Sequence, residues 1–306
     1  MINYLFLHTQ SKNLKNKIKD YSQLAKFRLS ATVVFSSLVG YLLACEVFNW
    51  LNFLMLFLGG FFVVASSNGF NQVFEKKTDK LMSRTQKRPI PSGRLEKIEG
   101  LVFSSILGLF GILILYNLNF KCAIFGLIAL IIYVMIYTPL KKISPIAVFV
   151  GALPGASPFM IGWIAYTNEF SIEALTLFAI QFLWQFPHFW SIAWILDEDY
   201  KKAGINMLPS KMKDENSAFH ALLYTIWLIP VSIIPFIFPY IGIRSELNLS
   251  IFGAIFIFAT GLYMYFQAYS LLKNCDFISA KKLMIGSLIY LPTIQIIYLI
   301  DKYLIL

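Results

Sequence analysis

Asn71, Glu75 and Asp79 recur at intervals of four in the run Asn71-Gln-Val-Phe-Glu75-Lys-Lys-Thr-Asp79, just beyond a long apolar stretch. If that stretch is a helix that continues through them, their oxygen-bearing side chains form one stripe, rising ~6 Å and drifting about 40° at each step. Such a stripe suits a hard cation. Magnesium takes oxygen ligands, keeps several waters and is commonly held by one or two carboxylates together with substrate phosphates. Taken alone, the pattern also describes a solvated helix end in which Glu75 and Asp79 answer Lys76, Lys77 and Lys80. The continuation, Arg84-Thr-Gln-Lys-Arg88-Pro-Ile-Pro-Ser-Gly-Arg94, shifts the balance, because a proline-broken loop brings guanidinium groups back beside the carboxylates. Arginine forks match phosphate oxygens. Carboxylates for a metal beside arginines for phosphate describe a site for a magnesium diphosphate.

A second acidic run, Asp197-Glu198-Asp199-Tyr200-Lys201-Lys202, also closes an apolar stretch and precedes a basic loop. It reads either as a second metal-binding edge or as a charged helix end anchored at lipid headgroups. Tyr137-Thr-Pro-Leu-Lys141 offers a phenol and an ammonium to phosphate, although by itself it is also an ordinary snorkelling helix end. Lys26 and Arg28 carry the same two readings. His188 stands apart, within Trp184-Gln-Phe-Pro-His188-Phe-Trp190, nine residues before Asp197 and hence ~13 Å away from it along a helix. An ionisable side chain that deep in an apolar helix is a functional candidate; the plain alternative is a histidine bonded to a neighbouring helix.

The elements that must position these groups follow from the apolar runs. Breaks at charged, proline and glycine residues predict spans near 29–47, 51–72, 99–117, 120–138, 146–166, 171–196, 218–240, 248–272 and 281–300, each about the ~20 residues needed to cross a hydrocarbon core. Threading those nine spans alternately through a bilayer puts all but three of the 26 basic residues on one side, leaving Lys121, Arg244 and Lys302 opposite. By the positive-inside rule the N-terminus and both acidic runs are then cytoplasmic and the C-terminus outside. Leu14, Ile18, Tyr21 and Ala25, at helical spacing among lysines, predict an interfacial amphipathic helix leading into the first span. No small-residue cleavage site follows a short apolar core, so the first span is expected to serve as its own insertion signal.

Composition agrees with a bilayer: 58% hydrophobic, 17% aromatic and 14% charged residues, with a mean hydropathy of +0.67. A net charge of +10 does not argue for nucleic acid, because the basic residues sit in loops flanking the spans, where topology and anionic lipid account for them. Cys45, Cys122 and Cys275 form no CxxC pair and encode neither a zinc nor a redox motif. The expected division is a basic interfacial segment, 1–28, followed by one membrane domain, 29–306.

These residues resemble the UbiA-type intramembrane prenyltransferases, and within that family they are most similar to the members that farnesylate haem. The resemblance rests on Asn71-xxx-Glu75-xxx-Asp79, Met82-x-Arg84-Thr85-xx-Arg88-Pro89-xx-Ser92-Gly93-Arg94, Tyr137-Thr138-x-Leu140-Lys141, Pro187-His188-Phe189-Trp190 and Asp199-Tyr200-xx-Ala203-Gly204-xx-Met207-Leu208-Pro209, in register over roughly residues 20–300. It implies an all-α fold, a polytopic membrane bundle of nine transmembrane helices with a central cavity. It implies magnesium bound by Asn71, Glu75 and Asp79 and by Asp197 and Asp199. Arg84, Arg88 and Lys141 would hold phosphate, and Lys26, Arg28, Tyr137, His188 and Tyr200 would also face substrate. The family usually spaces its second motif DxxxD, whereas here Lys201 stands four residues after Asp197, leaving Asp197, Glu198 and Asp199 as alternative ligands.

The resemblance further implies farnesyl diphosphate and haem B as substrates, and a place in a bacterial inner membrane. A downstream haem-modifying enzyme or oxidase assembly factor would be a partner, and nucleic acid would not. Two rival readings differ in testable ways. Prenyl transfer to an aromatic acid requires a polar pocket for a carboxylate in place of a deep histidine. A cation transporter requires acids near mid-membrane, whereas the acids here sit at one rim among arginines.

Overall fold

The computed structural model describes residues 16–305. Nine long helices dominate it: α1 (Phe27–Ala44), α2 (Trp50–Phe74), α3 (Lys97–Leu118), α4 (Phe120–Leu140), α5 (Ala147–Thr167), α6 (Ile172–Ile195), α7 (Glu215–Ile237), α8 (Ile251–Asn274) and α9 (Phe277–Ile300). Eight are both long and apolar enough to cross a bilayer. The ninth, α6, has the length, with 24 residues rising ~36 Å, but carries Gln181, Gln185, Pro187 and His188. It tolerates them because it packs against α5, α7 and α9, with all four buried.

Helix ends depart from the apolar runs by up to about four residues, and polar caps explain the shifts. Asp214 and Asp276 accept from Ser217 N and Ser279 N, so α7 and α9 begin within charged sequence. Glu96 and Glu99 form a reciprocal capping box at the start of α3. Asn49 accepts from Asn52 N and Ser250 from Gly253 N, capping α2 and α8.

Polarity is inverted relative to a soluble bundle. Leu54, Leu109, Phe110, Phe256 and Phe266 face outward, whereas Ser30, Ser36, Asn68, Gln72, Gln181, Gln185 and Gln295 lie inside. Without a hydrophobic drive between helices in lipid, small residues and interhelical hydrogen bonds hold such a bundle. Gly40 of α1 and Gly162 of α5 bring two backbones together: a Cβ on Gly162 would fall on the Ser37 carbonyl, and one on Gly40 on the Phe159 carbonyl. Ser36 accepts from Gln295 Nε2 at 3.0 Å, tying α1 to α9. At the end opposite the acidic motifs, the Lys302 ammonium donates to the carbonyls of Leu43 and Cys45 at 2.7 and 2.8 Å, capping the end of α1.

Before α1, residues 16–24 are helical. Lys12, Leu14 and Lys15 of the expected amphipathic helix lie outside the described residues. Of the expected apolar stripe, Ala25 is buried, Tyr21 packs on Phe103 at 4.8 Å and Ile18 is 60% exposed, while Asp20 and Leu24 are also buried. Polar contacts hold Asp20 there. Arg94 reaches back to Asp20 Oδ1 (2.8 Å) and Gln23 Oε1 (3.0 Å), and Lys17 pairs with Glu99. Arg94 is thus a clamp between the leading helix and the loop. The chain then turns sharply at Lys26, whose backbone is left-handed (φ 46°, ψ 55°). A non-glycine residue in that region costs on the order of 1–3 kcal/mol and tends to persist where function holds it.

Candidate active site

The stripe Asn71, Glu75, Asp79 is present and buried, at 2%, 5% and 0% exposure. α2 loosens at Glu75 (φ −89°, ψ 8°) before a further turn over Lys76–Asp79. The i to i+4 ladder nonetheless continues, with Glu75 N on Asn71 O at 2.9 Å and Asp79 N on Glu75 O at 2.8 Å. The solvated-end reading therefore fails. The acids do not answer Lys76, Lys77 and Lys80; they pair with cations from elsewhere in the fold.

Glu75 Oε1 lies 2.6 Å from Lys141 Nζ at the end of α4, and Asp79 Oδ2 lies 2.9 Å from Arg88 Nη1. Asn71 Nδ2 donates to Thr138 Oγ1 at 3.2 Å, and that hydroxyl donates to Tyr133 O at 2.8 Å. Buried Thr85 donates to the Asp79 carbonyl at 2.8 Å, fixing the loop that carries Arg88. α4 winds as a π-helix over Ile132–Tyr137, just before Pro139. Proline cannot donate to the preceding turn, and such local rewinding is frequent at functional sites. Here it serves Tyr133, Tyr137, Thr138 and Lys141, with the Lys141 ammonium 4.8 Å from the centre of the Tyr137 ring.

Lys26 completes the cluster. Burial, then the charges of Arg88 and Lys141, push its ammonium down to about 7 against the opposing pull of Glu75 and Asp79. Burial raises the Asp79 carboxyl above its ordinary value, with Arg88 opposing. For Lys141 burial disfavours the charge, but Glu75, with Tyr133 and Tyr200 near, outweighs it and lifts the ammonium above the usual lysine range. Three cations thus crowd two acids in a poorly solvated place.

The second motif meets the first through the loop. Arg84 N donates to Asp199 Oδ2 at 3.2 Å, and Asp199 Oδ1 accepts from Lys202 at 3.1 Å. Lys202 and these donors hold the Asp199 carboxyl below its ordinary value. Asp197 is buried, with Lys201 at 2.8 Å and Lys213 at 3.7 Å, whereas Glu198 is exposed. Of the three acids, Glu198 is thus the one turned to solvent. The Arg84 side chain is exposed and Arg28 lies exposed in the first turn of α1, so neither guanidinium joins the buried cluster. His188 sits apart on α6, its Nδ1 2.9 Å from Ser287 Oγ of α9.

Whether these residues fit magnesium can be judged from their unused oxygens. Asp79 Oδ1 is buried with no hydrogen-bond donor, and Glu75 Oε1 and Asp197 Oδ2 have ammonium groups near but not aligned as donors. A hard oxygen acceptor left open, as Asp79 Oδ1 is, fits a hard cation. Among the described residues no three His, Cys, Asp or Glu side chains form a ready-made cage, so diphosphate oxygens and water would complete the coordination.

Residues 33–284 match the family model described as the UbiA prenyltransferase family. The chain belongs to this family. The protein named protoheme IX farnesyltransferase from Flavobacterium johnsoniae is 45% identical over 295 residues, covering 95% of this chain and 97% of that one. Its namesake from Flavobacterium psychrophilum is 48% identical over 294 residues, again covering 95% and 97%. Among solved structures, a digeranylgeranylglyceryl phosphate synthase superposes with TM-score 0.76 at 23% identity, covering 94% of this chain and 99% of its own. A UbiA homolog from Archaeoglobus fulgidus bound to GPP and Mg2+ gives TM-score 0.63 at 18% identity, covering 91% and 99%.

For this UbiA prenyltransferase, Lys26 offers a clean test of the buried cluster. Lys26→Met keeps length and backbone but removes the charge. Its KM for the prenyl diphosphate is expected to rise about tenfold or more, the worth of one charge-assisted hydrogen bond. An unchanged KM would remove Lys26 from the site.

Proposed function

We propose that this enzyme transfers farnesyl from farnesyl diphosphate to a vinyl group of haem B, with addition of water, giving haem O. The observation that carries the donor half is the buried cluster in which Glu75 pairs with Lys141 and Asp79 with Arg88, with Lys26 nearby. The acceptor half is supported by near-full-length relatives named protoheme IX farnesyltransferase and by His188, placed deep on α6 where a flat aromatic acceptor could lie against it.

The chain's own groups divide the work. Asn71, Glu75 and Asp79, with Asp197 and Asp199 across the loop, would hold magnesium. When bound, that ion neutralises charge on the diphosphate as a Lewis acid. Lys26, Arg88 and Lys141 take up the negative charge that grows as the allylic C–O bond opens, and their fixed pairing means little reorganisation accompanies it. Tyr137 and Tyr200 wall the Lys141 side of the cluster. The burial of Asn71, Glu75 and Asp79 limits the water that could capture the allylic cation early.

The site end of the bundle gathers Lys26, Arg88, Lys141, Lys201 and Lys213, whereas the opposite end holds Lys121, Arg244 and Lys302. We place the site end in the cytoplasm of a bacterial inner membrane and the C-terminus outside, with residues 1–28 as the interfacial segment. Purified enzyme given farnesyl diphosphate, haem B and magnesium should yield a product with the mass of haem O, and a chelator should abolish it. Prenylation of an aromatic acid with haem left untouched would overturn the acceptor.

A further inference from the structure

His188 is 9% exposed, and its imidazole is fixed in two directions. The ring stacks on Trp184, with centroids 4.6 Å apart and planes 15° apart, and meets Phe189 edge-on at 5.4 Å. Its Nδ1 lies 2.9 Å from the hydroxyl of Ser287, a residue with no exposed surface on the facing helix α9. That hydroxyl has one hydrogen, and it is already committed to the Met284 carbonyl at 2.7 Å. With that hydrogen on the Met284 carbonyl, Ser287 Oγ accepts from His188, which assigns the imidazole hydrogen to Nδ1 and the lone pair to Nε2. Trp184 closes the loop from the same helix as the histidine: its indole N–H donates to the Ser287 carbonyl at 2.6 Å.

Nε2 accepts no hydrogen bond from any described residue and is not among the fully covered atoms that lack a partner, so part of the side chain's 9% exposure falls on it. Its lone pair is therefore open to a ligand. A neutral imidazole whose other nitrogen donates to a fixed oxygen, with its lone pair free, is the arrangement that metal-binding histidines use to set tautomer and direction.

We propose that His188 Nε2 is the axial ligand of the iron in the haem substrate and that Ser287 is the positioning residue that sets its tautomer. This rests on the haem reading above and deepens it. Ligation through the iron would hold the porphyrin at its centre and leave the vinyl-bearing edge free. That edge could then turn toward the acidic motifs, whose Asp197 lies nine residues further along the chain, just past the end of α6.

The test is a titration of the purified full-length enzyme with ferric haem B, read by its visible and electron paramagnetic resonance spectra, with haem O formation assayed in parallel. The expected result is a histidine-ligated spectrum that is lost in His188→Gly and restored by added imidazole. Ser287→Ala should weaken haem binding by about tenfold or more, the usual effect of removing such a supporting hydrogen bond, and Ser287→Thr should recover it. A spectrum unchanged by His188→Gly overturns the ligation, and haem affinity unchanged by Ser287→Ala overturns the positioning role. If the unaltered enzyme forms haem O without any His188-dependent spectrum, this inference falls and the haem reading stands. If it neither binds nor converts haem, both fall.

Discussion

Asp79→Asn is expected to lower turnover by about three orders of magnitude, the scale of loss when a preorganised electrostatic group is removed from a buried reaction site. Asparagine matches the shape of aspartate and can still accept from Arg88, so the bundle should assemble and melt close to the unaltered protein. What disappears is the negative charge on a side chain with no exposed surface, whose Oδ1 no donor satisfies. The prediction is checked by initial rates at saturating farnesyl diphosphate and magnesium, beside a thermal melt in detergent. A rate within tenfold of normal in a well-folded variant would remove Asp79 from the metal site.

Gly162→Val should have the largest effect on the fold. Its Cβ would meet the Ser37 carbonyl, a backbone atom of α1 that cannot rotate away, and Gly40 meets Phe159 of α5 from the other side. Overpacking a close contact costs typically about 1–3 kcal/mol, and here relief requires two spanning helices to separate. The separation would shift α1, whose first turn follows Lys26, and so would disturb the site as well. We expect sharply reduced yield of monodisperse protein and a lower melting temperature, whereas Gly93→Ala, where a Cβ meets nothing within 4 Å but φ is 80°, should be mildly destabilising. An unaffected melt in Gly162→Val would contradict the close α1–α5 crossing.

Much of the architecture was legible in the sequence because apolar length and lysine placement report directly on a bilayer. The exceptions have local causes. α6 is less apolar than its neighbours because Gln181, Gln185 and His188 turn inward, a fact that only its burial among other helices reveals. Helix ends moved wherever Asp214, Asp276 or the Glu96–Glu99 pair capped a charged segment. The stripe Asn71, Glu75, Asp79 was readable from spacing, but its partners were not. Lys141 stands 66 residues from Glu75 in the chain, and adjacent Lys76 and Lys77 are the nearer candidates by sequence. Nor did spacing distinguish Arg88, which is in the cluster, from Arg84, which offers its backbone to Asp199, or Arg94, which clamps Asp20. The pairing of His188 with Ser287 joins residues 99 positions apart and left no local signal, since an isolated serine in a spanning helix is ordinary.

Haem O formation in cells is the readout nearest to the proposed reaction. The most direct measurement is chromatography of haems extracted from cells that lack haem O synthesis, after expression of this chain and, in parallel, of its Asp79→Asn variant at equal membrane abundance. We predict haem O with the unaltered chain and only haem B with the variant. Haem B alone from both, with the unaltered protein well expressed and folded, would contradict the assignment of haem as acceptor, while the buried diphosphate site would then have to serve a different one.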